Sequence, residues 1–315
     1  MSFRILVSEV VTDNGLDFLR QQGYEIKRGQ GLSKEQLIAD LQDCDAMIMR
    51  VAKLDADVLS ACPRLKVIGK HGVGVDSIDL DYCKAHGITV VFTPQANSLS
   101  VAEHAIALMM ACAKQIPLKF AEYKKGNYSI KDTCLGHEVS GKTIGLIGMG
   151  RIGSMVGRIA LNGFGMRVLA YDPFLPAEAT PAGFERAATK EELLEQADFV
   201  SLHLPSTKDT VKSIGEETFK HMKKTAYLIN TARGSIVDEE ALYNALVSGE
   251  IAGAGLDVSD PEPSSPDNPL MQLPNVIMTP HCGAATVDSM LHMSADVAKG
   301  VWEALSGQAP TWKVC

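Results

Sequence analysis

The chain has 315 residues, 46% of them hydrophobic and 22% charged, and carries a formal net charge of −8. That length suits two soluble α/β-sized domains, and an acidic balance with no basic stripe argues against a nucleic-acid surface. The most apolar long stretch, 101–113, is interrupted by Glu103 and His104 and is too short to span a bilayer, so no membrane partner is expected.

The seven cysteines are scattered, odd in number and form no C-x-x-C pair. They read as isolated thiols in a reducing cytoplasm, with no metal site among them. The opening MSFRILVSEV reads as a strand rather than a signal peptide, because its apolar run is too short.

In chain order, residues 3–7 predict a strand and a helix follows that ends near Gly23. Residues 24–27 are a second short strand. Ser33 and Gln36 form a candidate capping box for a helix burying Leu37, Ile38 and Leu41. Strands at 46–49, 65–69 and 89–92 alternate with helices at 55–61 and 78–85. This rhythm predicts a parallel sheet and a complete α/β unit by about residue 96. Ser98 or Ser100 is expected to cap a long apolar helix crossing to a second unit. Residues 120–140 are more polar and read as an irregular arm.

The second unit centres on 142–172. Residues 143–147 form a short, apolar, β-branched strand, followed by Gly148-Met149-Gly150-Arg151-Ile152-Gly153 and an apolar 3.6-residue period. A second strand, 166–171, ends in Asp172, 19 residues after Gly153. The order strand, G-x-G-x-x-G, helix, strand, acid is the dinucleotide fingerprint. Gly148 allows the turn, Gly150 lets the backbone approach a pyrophosphate, and Gly153 lets helix and strand pack closely. The pyrophosphate would sit on the helix N-terminus. Asp172 would accept hydrogen bonds from a ribose and repel a 2′-phosphate. No Arg or Lys follows in 173–175, so NAD is expected over NADP. After a turn-rich stretch and a helix near 191–195, strands are predicted at 198–202, 226–230, 253–256 and 276–278. Asp238 caps a helix over 239–247, and a final helix, 287–305, is free to return to the first unit.

Ligands of open α/β sheets bind beyond the carboxyl ends of strands. Leu204 and Pro205, and Ala232 beside Thr231, follow such ends and are taken as cofactor contacts. Three groups there carry chemistry. Arg233 offers a permanently charged fork for a carboxylate and can polarise a carbonyl oxygen. A surface ion pair is its alternative reading. Glu262, between Pro261 and Pro263, is either a held carboxylate or a solvated acid of a Pro-rich loop. His281 is a candidate acid/base, or else a satisfied structural histidine. A neighbouring Glu262 carboxylate would favour the imidazolium, which keto-acid reduction needs as a proton donor.

The glycine run, Asn230-Thr231-Ala232-Arg233-Gly234, Asp257-Val258 with Glu262-Pro263, and Pro280-His281-Cys282-Gly283-Ala284 together resemble the signature set of the D-isomer-specific 2-hydroxyacid dehydrogenases, over nearly the whole chain. The resemblance implies two Rossmann-like or flavodoxin-like doubly wound parallel-sheet domains with an interdomain cleft. The substrate domain would comprise 1–97 plus 286–315 and the NAD-binding domain, also the dimerising one, 98–285. It implies Arg233 as substrate anchor, His281 as acid/base and Glu262 as its partner. It further implies that Arg151, Ile152, Asp172, Thr231, Asp257 and Gly283 touch the cofactor, and that amides of 72–76, Val73 and Gly74 among them, hold the substrate carboxylate.

The first half most resembles the phosphoglycerate dehydrogenase branch, through 49–53, Lys70-His71-Gly72-Val73-Gly74-Val75-Asp76 and 93–100. Arg50 and Lys70 stand where that branch has cations near the substrate, which suggests a second anionic group such as phosphate or sulfonate. Solvated strand-end cations are the alternative. His71 and Val73 depart from the small and hydroxyl residues more usual there. The chain ends at Cys315, where longer members continue into a regulatory domain, so serine feedback through such a domain is not expected.

The expectation is an NAD-dependent oxidoreductase interconverting a D-2-hydroxy acid and its 2-keto acid, with a 3-phosphoglycerate-like substrate. Hydroxypyruvate or glyoxylate reduction and sulfolactate-type oxidation are alternatives. A non-catalytic NAD-sensing binding protein is a further one.

Overall fold

The computed structural model describes residues 2–315, which divide into two compact units, 1–98 with 284–315 and 99–283. The first begins β1 (Arg4–Val7), α1 (Asp13–Gln21), β2 (Glu25–Arg28), α2 (Lys34–Leu41), β3 (Ala46–Met49), α3 (Ala56–Ser60), β4 (Val67–Lys70), α4 (Leu80–His86) and β5 (Thr89–Val91). The order β2-β1-β3-β4-β5 is parallel throughout and flavodoxin-like. All four side chains of β3 are buried, as expected of a central parallel strand covered on both faces. The Ser33–Gln36 capping box forms.

The long helix α5 (Ser98–Lys114) leads into the second unit. Ser98 and Ser100 lie inside it rather than capping it. Ser98 Oγ donates to the carbonyl of Pro94, and Ser100 Oγ to that of Gly283 at 2.6 Å. The expected irregular arm begins instead as two helices, α6 (Ile116–Lys124) and α7 (Ile130–Thr133), neither of which buries a residue.

Next come β6 (Thr143–Ile147), α8 (Arg151–Phe164), β7 (Arg167–Tyr171), β8 (Phe184–Arg186), α9 (Lys190–Gln196), β9 (Phe199–Leu202), α10 (Glu216–His221), β10 (Tyr227–Asn230), α11 (Glu239–Ser248), β11 (Gly253–Leu256) and β12 (Val276–Met278). Their sheet runs β12-β11-β10-β9-β6-β7-β8, all parallel, a Rossmann order with one added strand. β8 was not anticipated; it lies on the edge and buries only Phe184. The order reverses at β6, so the glycine turn after β6 opens at the switch point, where such sheets bind ligands.

The last helix, α12 (Val287–Leu305), returns to the first unit, with Val297, Ala298 and Val301 in its core. It approaches α1 so closely that a Cβ on Gly15 would lie 2.1 Å from the Ser294 carbonyl oxygen. All seven cysteines are free, five of them buried, while Cys282 and Cys315 are partly exposed. Among the described residues no helix is long and apolar enough to cross a membrane.

Candidate active site

The glycine turn has the shape its sequence demands. Gly148 has φ +95°, and a Cβ there would lie 2.5 Å from the His203 carbonyl oxygen. A Cβ on Gly153 would lie 2.3 Å from the carbonyl oxygen of Gly148, so Gly153 lets α8 close on the turn itself. A Cβ on Gly150 would meet nothing within 4 Å, which leaves open space before α8. No side chain caps this helix, so the amides around Arg151 and Ile152 face that space as an anion site. Thr231 adds a buried hydroxyl with no hydrogen-bond partner. These features fit a dinucleotide.

Asp172 does more than end β7. Its Oδ2 accepts from the Met149 amide at 2.9 Å and its Oδ1 from the Phe174 amide at 3.0 Å, tying the glycine turn to the loop after β7. Arg186, missed in the sequence because it sits on the unanticipated β8, donates to the carbonyls of Leu175 (2.7 Å) and Asp172 (2.9 Å). A cation therefore does reach this loop, and it braces the main chain. Tyr171, Pro173 and Arg186 line a concavity there.

Arg233, Glu262 and His281 converge within the second unit. Arg233 follows β10 in a turn fixed by Asn230, whose side chain donates to the Arg233 carbonyl at 2.8 Å and accepts from the Ala232 amide at 3.0 Å. A Cβ on Gly234 would lie 2.0 Å from the Ser259 carbonyl oxygen, so this turn is packed directly on the loop that carries Glu262. Glu262 Oε2 lies 2.8 Å from His281 Nδ1, and its Oε1 accepts from the Ser259 amide at 3.2 Å. Burial opposes ionisation of Glu262. The His281 hydrogen bond and charge, the Ser259 amide and the Arg233 charge outweigh it and hold the carboxyl below the ordinary range. With Nδ1 on Glu262, Nε2 is the nitrogen left for chemistry, on a ring 45% exposed.

The turn bearing His281 is strained and held. His281 has φ +49°. Asp257, at the end of β11, grips the flanking residues: its carboxylate accepts from Thr279 Oγ1 (2.6 Å) and from the amides of Cys282 (2.9 Å) and Gly283 (2.8 Å). The His281 amide donates to the Asp257 carbonyl at 2.8 Å. His104 of α5 completes the set, with Nε2 3.2 Å from Asp257 Oδ1 and 3.0 Å from Thr279 Oγ1. Burial works against the Asp257 charge, but these donors bring its carboxyl down to about 2. The group expected to touch the cofactor thus already anchors the acid/base turn. His104, Asp257 and Cys282 also cluster closely enough to suggest a metal. Burial and the Asp257 charge push the Cys282 thiol up, however, and Asp257 is occupied by donors, so the cluster reads as a hydrogen-bond network. His104 went unnoticed because its partners are distant in sequence.

The first unit gathers a separate polar group. Glu9 accepts from the amides of Arg50 (2.7 Å), Val51 (2.7 Å) and Ala52 (3.4 Å), filling the nest after β3. Arg50 Nη1 donates to the Val10 carbonyl at 3.3 Å, and Lys70 Nζ donates to the Arg50 carbonyl. Gly72 has φ +141°, and its amide turns inward to Thr93 Oγ1 at 3.0 Å. It is therefore not open to a carboxylate. Val73 is 37% exposed, and it and Gly74 carry the next amides of the loop.

Comparison with known proteins agrees with this geometry. The family model for the D-isomer specific 2-hydroxyacid dehydrogenase NAD binding domain matches residues 106–283. A D-3-phosphoglycerate dehydrogenase of Archaeoglobus fulgidus is 41% identical over 95% of the chain, which spans only 56% of that relative's length. A glyoxylate reductase of Korarchaeum cryptofilum is 38% identical, with 98% of this chain and 95% of the relative covered. The structure of a D-lactate dehydrogenase from Aquifex aeolicus with NAD and lactic acid superposes with TM-score 0.86 at 34% identity, over 96% of each chain.

Proposed function

The chain belongs to the D-isomer-specific 2-hydroxyacid dehydrogenases, and we propose that it interconverts a D-2-hydroxy acid and its 2-keto acid with NAD. The observation that carries this reading is the 2.8 Å contact between His281 Nδ1 and Glu262 Oε2, which leaves Nε2 exposed beside a loop touched by the Arg233 charge.

NAD would lie on the glycine turn and α8, against Asp172 and Thr231, with Arg151, Ile152, Leu204, Pro205 and Ala232 around it, and when bound it carries the hydride. Arg233 would bind the substrate carboxylate through its planar fork and draw electron density from the carbonyl. In reduction the His281 imidazolium gives the Nε2 proton to the carbonyl oxygen; in oxidation the neutral ring takes it from the hydroxyl. Glu262 keeps Nδ1 protonated and stabilises the charged ring. Asp257 and Gly283 hold the His281 turn, and Gly283 would also border the cofactor.

In the first unit, Val73 and Gly74 would contribute amides to the substrate carboxylate, and Arg50 and Lys70 charge to a second anionic group. This favours a 3-phosphoglycerate-like substrate, as in the Archaeoglobus relative's name. The glyoxylate reductase likeness, which spans nearly that whole relative, favours a smaller keto acid as the second reading.

We read the protein as a cytoplasmic homodimer. Seven free thiols suit a reducing compartment. Phe120, Tyr123, Tyr128 and Leu135 of the second unit each leave more than half their surface exposed, an apolar display suited to a second copy.

NADH oxidation followed with phosphohydroxypyruvate, sulfopyruvate, hydroxypyruvate, glyoxylate and pyruvate, with NADPH as control, tests the reading. Preference for the phosphorylated or sulfonated acid supports the second-anion site. Preference for glyoxylate or hydroxypyruvate supports the second reading. NADH binding without turnover on any acid would leave an NAD-sensing protein.

A further inference from the structure

His71 is the residue in the first unit whose polar atoms are least accounted for. It follows β4, directly after Lys70, and is 3% exposed. Both ring nitrogens are buried and neither has a hydrogen-bond partner. Leaving such groups unpaired costs free energy that a packed core would normally avoid by using an apolar side chain. The ring lies within reach of the Arg50 and Lys70 charges. Burial first, then those two cations, push it down to about 4 against the pull of the His71 and Met290 backbone. The Met290 carbonyl is itself taken by Thr12 Oγ1 at 3.1 Å. His71 is therefore a neutral imidazole at the carboxyl end of a parallel strand, with an N–H unspent, beside two cations.

We infer that His71 is a specificity residue which donates this N–H to the distal oxyanion of the substrate, alongside Arg50 and Lys70. The inference rests on the second-anion reading and adds a donor to it. Arg50 and Lys70 supply charge. A neutral N–H adds direction without a third positive charge, and an imidazole between two cations avoids the repulsion that a protonated ring would bring. Glu9 already fills the backbone nest after β3, so side chains rather than the 50–52 amides are left to meet the anion.

The test compares wild type with His71→Ala and His71→Gln, measuring kcat and KM with NADH for phosphohydroxypyruvate, sulfopyruvate and glyoxylate. Expected for His71→Ala is a KM increase of about tenfold or more for the substrates bearing the oxyanion. Glyoxylate KM and all kcat values should stay within about twofold, since only binding of the distal group is lost. Gln, which keeps an N–H donor, should recover much of the loss. A selective loss on phosphohydroxypyruvate alone assigns the site to phosphate; a loss on sulfopyruvate as well assigns it to either oxyanion. Equal changes on all three acids, or none, would make His71 a packing residue and overturn the inference. If the alanine protein does not fold, the same three-substrate comparison on His71→Gln decides: unchanged selectivity supports donation by N–H, and uniform loss overturns it. A wild type that turns over glyoxylate as well as phosphohydroxypyruvate overturns the second-anion reading itself, a result visible before any variant is made.

Discussion

His281 Nδ1 and Glu262 Oε2 stand 2.8 Å apart, and this bond decides which imidazole nitrogen can exchange a proton with substrate. Glu262 is held below the ordinary carboxylate range, so the pair stays charge-assisted at neutral pH and is lost only as pH falls through that lowered value. Glu262→Gln keeps an acceptor and removes the charge. The imidazolium then loses its counter-charge, and the pH–rate profile for keto-acid reduction is expected to move toward acid. At neutral pH, kcat should fall by roughly 10- to 100-fold and recover in part at lower pH. A profile that keeps its wild-type position would show that Glu262 does not act through His281.

Asp257 ties stability to the same turn. Its folded carboxyl lies at about 2, against an ordinary 3.8, and it is 2% exposed. A depressed carboxyl stabilises the fold above its unfolded value and loses that contribution as pH falls from about 4 toward 2. The shift corresponds to about 2 kcal/mol. Asp257→Asn also turns an amide N–H toward donors, so a fall in Tm of roughly 5–10 °C at pH 7 is expected. Thermal melts of both proteins from pH 7 to pH 3 check this: the gap should narrow in acid. A constant gap would place the loss elsewhere.

Asp172 links the glycine turn to the loop after β7 through two accepted amides. Asp172→Ala removes both the link and the charge that disfavours a 2′-phosphate. KM for NADH should rise at least about tenfold, and the preference for NADH over NADPH should shrink. Steady-state kinetics with both cofactors measures this. Unchanged NADH kinetics would remove Asp172 from the cofactor site.

Much of this molecule was legible in its residues, for identifiable reasons. The central parallel strands are short, β-branched and buried on both faces, so β3 and β6 stand out wherever they lie in the chain. Gly148 and Gly153 were readable because their roles are local. β8 escaped because Phe184-Glu185-Arg186 buries one side chain at a sheet edge and leaves no two-sided apolar run. α6 escaped because it buries nothing, so no helical stripe marks it. Arg233, Glu262 and His281 were found by position after strands. The hold of His104 and Asp257 on the His281 turn was not, since only the fold joins α5 to the ends of β11 and β12. Glu9 and Arg186 were hidden likewise, because each acts on backbone atoms of a loop remote in sequence.

The account stands most directly on the Nε2 of His281. His281→Asn, assayed with NADH and the best keto acid of the substrate panel, is expected to lower kcat by roughly 10²- to 10⁴-fold. NADH binding, followed by fluorescence titration, should change less than about threefold, because the glycine turn, Asp172 and Thr231 are untouched. Turnover near the wild-type rate with NADH still bound would contradict the assignment of His281 as the group that gives and takes the proton.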